Sequence, residues 1–133
     1  MHGLDTNVLL RYVIGDDPQQ SEQAAAFIGA TCTADEPCFL NRIVLCEAVW
    51  VFEDAYGYRK QQIVTALDAL LRTREFRIED HDRVQRALVA YRSGTADFAD
   101  LLIGETNAAA GCEMTVTFDR KASASPRFTA LSP

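Results

Sequence analysis

The sequence predicts an α/β domain built on a mostly parallel sheet. Three observations carry this. Short segments of strand character ("HGLD", "PCFLN", "EFRIE", "EMTVTFD") alternate with longer segments of helical periodicity. No internal repeat, low-complexity tract or long linker interrupts that order. The 133 residues, 48% of them hydrophobic, suffice for one solid core and hence one domain over 1–133.

"HGLD" is a short apolar segment ending in an acid, which suits a strand. In "TNVLLRYVIG", Thr6 serves as N-cap, Leu9, Leu10 and Val13 form an apolar stripe, and Gly15 ends the helix. "DDPQQSEQAAAFIGA" opens a second helix, with Asp17 before Pro18 in the first turn. "PCFLN" is too short for a helix and reads as a buried strand. A long, very apolar helix follows over 42–56. Ile63, Ala66, Leu67, Leu70 and Leu71 then recur at i, i+3, i+4, i+7 and i+8, the cleanest helical stripe in the chain. "EFRIE" alternates as a short strand. Val84, Ala87, Leu88 and Tyr91 make a further helical stripe, and "TADFADLLIGETNAAAG" is a helix ended by Gly111. Met114, Val116 and Phe118 alternate as a strand, and a short tail strand is expected around Phe128.

Composition narrows the function classes. No apolar run approaches a membrane span, and "MHGLDTN" lacks the basic and apolar regions of a secretory signal. The four cysteines form no CxxC and neither histidine lies near a cysteine pair, so zinc-ribbon and thioredoxin readings fail. Cys46 and Cys112 read as small core residues, and reduced thiols in a cytoplasm are expected. A net charge of −6 argues against coating nucleic acid by bulk charge. Among 13 basic residues only Lys60 and Lys121 are lysines. Arginine suits bidentate contacts with phosphates and carboxylates, although a GC-rich genome produces the same bias.

The acids carry the chemistry. Asp5 and Asp119 fall at the C-terminal ends of predicted strands, where sites form in open α/β sheets. Asp97 and Asp100 share a face at the start of a helix, and Thr117 and Asp119 share a face of a strand. Glu47 interrupts the apolar run "IVLCEAVWVF", where an unpaired buried carboxylate would cost several kcal/mol. Each acid also has an ordinary reading. Asp5 can cap the next helix, Asp97 can favour a helix dipole, Asp119 can precede a short helix, and Glu47 can face solvent. Together, Asp5, Glu47, Asp100 and Asp119 come from four elements, and gathered in one place they would repel unless cations bound. An all-oxygen set suits hard ions such as Mg²⁺ or Mn²⁺. His2 and His81 are isolated and read as terminal and surface residues.

The stretches "LDTNVLLRYV", "CEAVWVF" and "ADFADLLIGETNAAAGCEMTVTFDR" resemble the PIN-domain ribonucleases, specifically VapC-type toxins of toxin–antitoxin pairs. The resemblance implies a PIN fold: a central parallel sheet flanked by helices in three layers. It implies Asp5, Glu47, Asp100 and Asp119 as the catalytic acids. Asp5, Asp100, Asp97 and Asp119 are its metal candidates, with Asp100 favoured over Asp97 as direct ligand. Thr6, Asn7 and Thr117 flank them as supporting polar residues. Mg²⁺, or Mn²⁺, is the implied cofactor. The implied reaction is hydrolysis of RNA phosphodiester bonds, with Glu47 or Asp119 orienting the attacking water. Arg11, Arg42 and Arg120 are the candidates for contact with RNA. The implied partners are a cognate antitoxin, a second copy in a homodimer, and tRNA, rRNA or mRNA as substrate. No membrane partner is expected.

Two rivals remain at this level. A haloacid-dehalogenase-like phosphatase would want an Asp where Asn7 stands, and a receiver domain would want an acidic pair at the first strand. The other rival is a PIN-like module that binds RNA or protein without cutting. Metal-dependent RNA cleavage separates these readings.

Overall fold

A computed structural model describes residues 1–131. The chain divides into two compact units, Met1–His81 and a second that begins at Asp82. In the first unit the order is α1 (Thr6–Ile14), α2 (Pro18–Thr31), β1 (Cys38–Leu40), α3 (Arg42–Asp54), α4 (Lys60–Leu71) and β2 (Phe76–Ile78). β1 and β2 pair in parallel, with Phe39 opposite Arg77. Residues 2–4 run beside β1 as an isolated parallel bridge. Leu4 N donates to Phe39 O at 3.0 Å, and Phe39 N donates to His2 O at 2.7 Å.

The helices of this unit begin where short polar side chains take up the unpaired N–H groups of the first turn. Asp5 accepts from Val8 N, Asp17 from Gln20 N, and Asn41 from Val44 N. The cap of α1 is therefore Asp5 and not Thr6, which is the first helical residue. Gly15 closes α1 at φ 72°, a left-handed conformation that glycine adopts without a Cβ penalty. The core gathers Leu9, Leu40, Leu45, Phe52, Ile63 and Leu67, all essentially out of solvent. On α4 the expected stripe holds at Ile63, Leu67 and Leu70, while Ala66 and Leu71 are half-buried.

In the second unit the order is α5 (His81–Ser93), α6 (Phe98–Ala109), β3 (Thr115–Thr117), α7 (Arg120–Ser123) and β4 (Phe128–Ala130). β3 and β4 pair in parallel, Val116 opposite Thr129. Val84, Ala87, Leu88 and Tyr91 of α5 are all buried as expected, with Phe98, Leu101, Leu102 and Phe128. α6 lies close to β4 because position 104 has no side chain. A Cβ there would come within 2.6 Å of the Phe128 ring. In both units parallel strands alternate with helices, the α/β class expected from the sequence.

Two expectations about the cysteines are corrected. Cys32 and Cys38 are joined by a disulfide, their Cα atoms 5.1 Å apart, so the four cysteines are not all free thiols. Cys112 is exposed and Cys46 half-buried, so neither is a fully buried core residue. α3, though very apolar, keeps one face in solvent. Ile43, Glu47 and Trp50 recur on one exposed face, and Glu47 lies among them in reach of solvent. The alternation over 114–118 does mark β3, yet its apolar side chains Met114, Val116 and Phe118 are the exposed ones. Among the described residues no helix is long and apolar enough to cross a membrane.

Candidate metal centre

In the second unit three carboxylates converge. Asp97, Asp100 and Asp119 each offer an oxygen, and these oxygens lie within 4.8 Å of one another. Backbone geometry explains the convergence. Asp97 occupies the N-cap of α6, and Asp100 lies in that helix's first turn. Asp119 follows β3 and caps α7. Its Oδ1 accepts from Lys121 N at 2.8 Å and from Ala122 N at 3.0 Å. Its own N–H donates to Thr117 Oγ1 at 3.0 Å, which ties the acid back to the strand. Asp97 sits at a cap position but makes no capping hydrogen bond. Instead Lys121 Nζ donates to its Oδ1 at 3.3 Å.

The electrostatics are unbalanced. Three carboxylates and one ammonium leave a formal charge of −2 in a small volume. Burial pushes the Asp100 carboxyl above its ordinary value, and the neighbouring Asp119 and Asp97 push it the same way, against the pull of Lys121. Lys121 is correspondingly held protonated, first by its hydrogen bond to Asp97. An all-oxygen set with this charge fits a hard divalent cation, which would neutralise it. The residues present fit Mg²⁺ or Mn²⁺. No His or Cys enters the cluster to favour a softer ion.

The remaining predicted residues lie in the first unit, apart from Thr117 and Arg120. Asp5 Oδ1 accepts from Val8 N at 3.0 Å, so Asp5 does cap α1. Glu47 Oε1 accepts the Thr6 hydroxyl proton at 2.6 Å, which orients the carboxylate. Asp5, Asn7 and Arg11 line a groove of about 620 Å³ between α1 and α2, together with Gln20, Gln23 and Phe27. Arg11 is engaged within this unit, by Gln20 at 2.8 Å and by Asp16 at 3.2 Å. Arg42 is held by Glu79 at 3.3 Å and Asp80 at 3.2 Å. Arg120 is exposed in α7.

Sequence reasoning missed Lys121. A signal existed: it is one of two lysines in a set of 13 basic residues, and it stands two places after Asp119.

The chain is 25% identical to the VapC ribonuclease of Aquifex aeolicus (strain VF5) over 118 residues, which covers 89% of this chain and 87% of that protein. The family model for the PIN domain matches residues 4–126, across both units. The chain belongs to the PIN domain family.

Proposed function

We propose that the protein is a Mg²⁺-dependent endoribonuclease of the toxin type, restrained by a cognate antitoxin. The observation that carries this is the convergence of Asp97, Asp100 and Asp119 in a PIN-family chain. The distant likeness to a VapC ribonuclease supports the substrate and the partner.

In this reading Asp97, Asp100 and Asp119 hold the cation. A bound Mg²⁺ or Mn²⁺ supplies Lewis-acid stabilisation of charge on the phosphoryl oxygens and lowers the pKa of water. The chain does the rest. The two backbone N–H groups on Asp119 Oδ1 fix that carboxylate and leave Oδ2 to ligate. Asp100 ligates as the carboxylate, so burial and its two acidic neighbours, which push its pKa up, oppose the cation. Asp5 is assigned to the reaction on the sequence resemblance, and its capping bond leaves Oδ2 unused by that cap. Glu47, aimed by Thr6, is assigned to orient the attacking water. The protein then works in the cytoplasm with its RNA, as a homodimer in the manner of the toxins it resembles.

The test is cleavage of cellular RNA by purified, antitoxin-free protein with Mg²⁺ or Mn²⁺, beside EDTA. Activity should disappear in EDTA and in Asp5→Asn, Asp100→Asn and Asp119→Asn. Folded, metal-loaded protein that cuts no RNA would sink the nuclease reading and leave a binding module.

A further inference from the structure

A second feature adjoins the acidic cluster. A hollow of about 270 Å³ opens in the same unit, between the end of α5, the loop into α6 and the end of α7. Its polar lining is Ser93, Gly94, Thr95, Ser125 and Lys121, with no acid among the lining residues. Two other cavities differ: one holds Asp5 beside Arg11, the other holds Asp82 and Glu105 beside Arg86. Unlike those two, this hollow combines a cation with hydroxyls and lacks a carboxylate. Hydroxyls and an ammonium hold phosphate oxygens without reading sequence, here those of Thr95, Ser125 and Lys121, whereas the Ser93 hydroxyl already donates to Val89 O at 3.2 Å and the Gly94 and Ser125 N–H groups to Ala90 O and Ala122 O.

Lys121 belongs to both places. Its ammonium reaches Asp97 Oδ1 at 3.3 Å while its side chain borders the hollow. An ammonium has three donors, and the Asp97 contact uses one. The remaining two can meet a phosphate oxygen without Lys121 leaving Asp97. Such an arrangement answers a problem that the acidic cluster raises. Carboxylates repel an RNA strand even when a divalent cation has neutralised most of their charge, so a cation next to them is needed to hold the backbone.

We propose that the hollow bordered by Lys121, Ser93, Thr95 and Ser125 is a phosphate-binding subsite, which seats a backbone phosphate of the RNA strand next to the one cut at Asp97, Asp100 and Asp119. This rests on the ribonuclease reading above. Lys121 is a binding residue here, and it is also a competitor of the cation for Asp97. Removing its charge therefore has two opposite effects: weaker RNA binding and tighter divalent cation binding.

The experiment measures both. Binding of a short fluorescein-labelled single-stranded RNA of mixed sequence is read by anisotropy over a range of salt, with Ca²⁺ in place of Mg²⁺ to slow cleavage. Mn²⁺ binding to the RNA-free protein is read by calorimetry. Wild type is compared with Lys121→Gln, Lys121→Arg and Ser125→Asp. For Lys121→Gln the RNA affinity should fall several-fold, the slope of log K against log salt should flatten by about 0.7, the share of one phosphate contact on a single strand, and Mn²⁺ should bind more tightly. Lys121→Arg should keep most RNA affinity, and Ser125→Asp should lose it with Mn²⁺ binding unchanged. An unchanged RNA slope in Lys121→Gln, with wild type binding and cutting RNA, overturns the subsite and spares the nuclease reading. Loss of RNA and Mn²⁺ binding together in Lys121→Gln also overturns it, since that is the signature of a purely structural lysine. Wild type that neither binds nor cuts RNA overturns both.

Discussion

Asp97 and Asp119 are both cap residues, and they divide the two tasks open to a carboxylate at a helix start. Asp119 satisfies two backbone N–H groups, while Asp97 satisfies none and faces Lys121. Asparagine caps about as well as aspartate but ligates a hard cation poorly. Asp119→Asn should therefore leave stability within about 0.5 kcal/mol of wild type and abolish cleavage, whereas Asp119→Ala should lose cleavage and about 1 kcal/mol of stability as well. Urea melts of the two variants check this, and equal stability losses would refute the division. Asp100 makes a second prediction. Burial and two like charges raise its folded-state pKa above the unfolded value. Its contribution to stability is thus fully present below the unfolded carboxylate pKa and is lost as pH rises through the folded pKa. In EDTA the wild type should lose stability over that window relative to Asp100→Asn. Cation binding runs the other way, strengthening as pH rises, because the ligand must be ionised.

At the scale of elements, α3 depends on a contact made far along the chain. Its first residue, Arg42, donates its N–H to Glu79 Oε1 at 2.9 Å, just beyond the end of β2, and its guanidinium reaches the same oxygen. That backbone bond is the main reason the Glu79 carboxyl is held below its usual value. The folded pKa is depressed, so the stability it adds is present above the unfolded glutamate pKa and is lost as pH falls through the folded pKa. Glu79→Gln should remove this acid sensitivity at a cost of about 1 kcal/mol or less, because the pair is partly solvated. In the second unit the close approach of α6 and β4 rests on Gly104. Gly104→Ala should destabilise by about 1–3 kcal/mol despite alanine's better helix propensity, since the Phe128 ring must move. A stabilised Gly104→Ala would mean that the ring yields freely. The elements themselves were legible because each carries local signals: the α5 stripe, the Asp17–Pro18 start and the Gly15 and Gly111 ends all reappear. The outward face of β3 was not legible, because alternation reports that two faces differ and not which of them meets a core.

For the whole molecule, the family could be read from the chain, but the partnerships between distant residues could not. "DTN" and the "ADFAD…TFD" block pointed to the acids through the family resemblance, and of the acids named there Asp97, Asp100 and Asp119 lie together in the second unit. The pairing of Lys121 with Asp97 stayed invisible because an ion pair over 24 positions leaves no periodic trace. The disulfide stayed invisible for a related reason. Cys32 ends α2 and Cys38 begins β1, and only the turn between them brings their Cα atoms to 5.1 Å. A six-residue separation closes a small loop, so the chain-entropy gain is modest, about 2 kcal/mol. The bond is buried at both ends, which slows its reduction in the folded state. Thiol titration of the native, oxidised protein should therefore count two free thiols. Exposed Cys112 should react fast, and Cys46 slowly, because burial raises its pKa against the weaker pull of Arg42. Unfolding in reductant should raise the count to four, and Cys32→Ser should lower stability by about the same 2 kcal/mol only when wild type is oxidised. If wild type prepared without oxidant already shows four thiols, the pair stands reduced under those conditions, and the Cys32→Ser penalty should shrink to the loss of one small buried side chain.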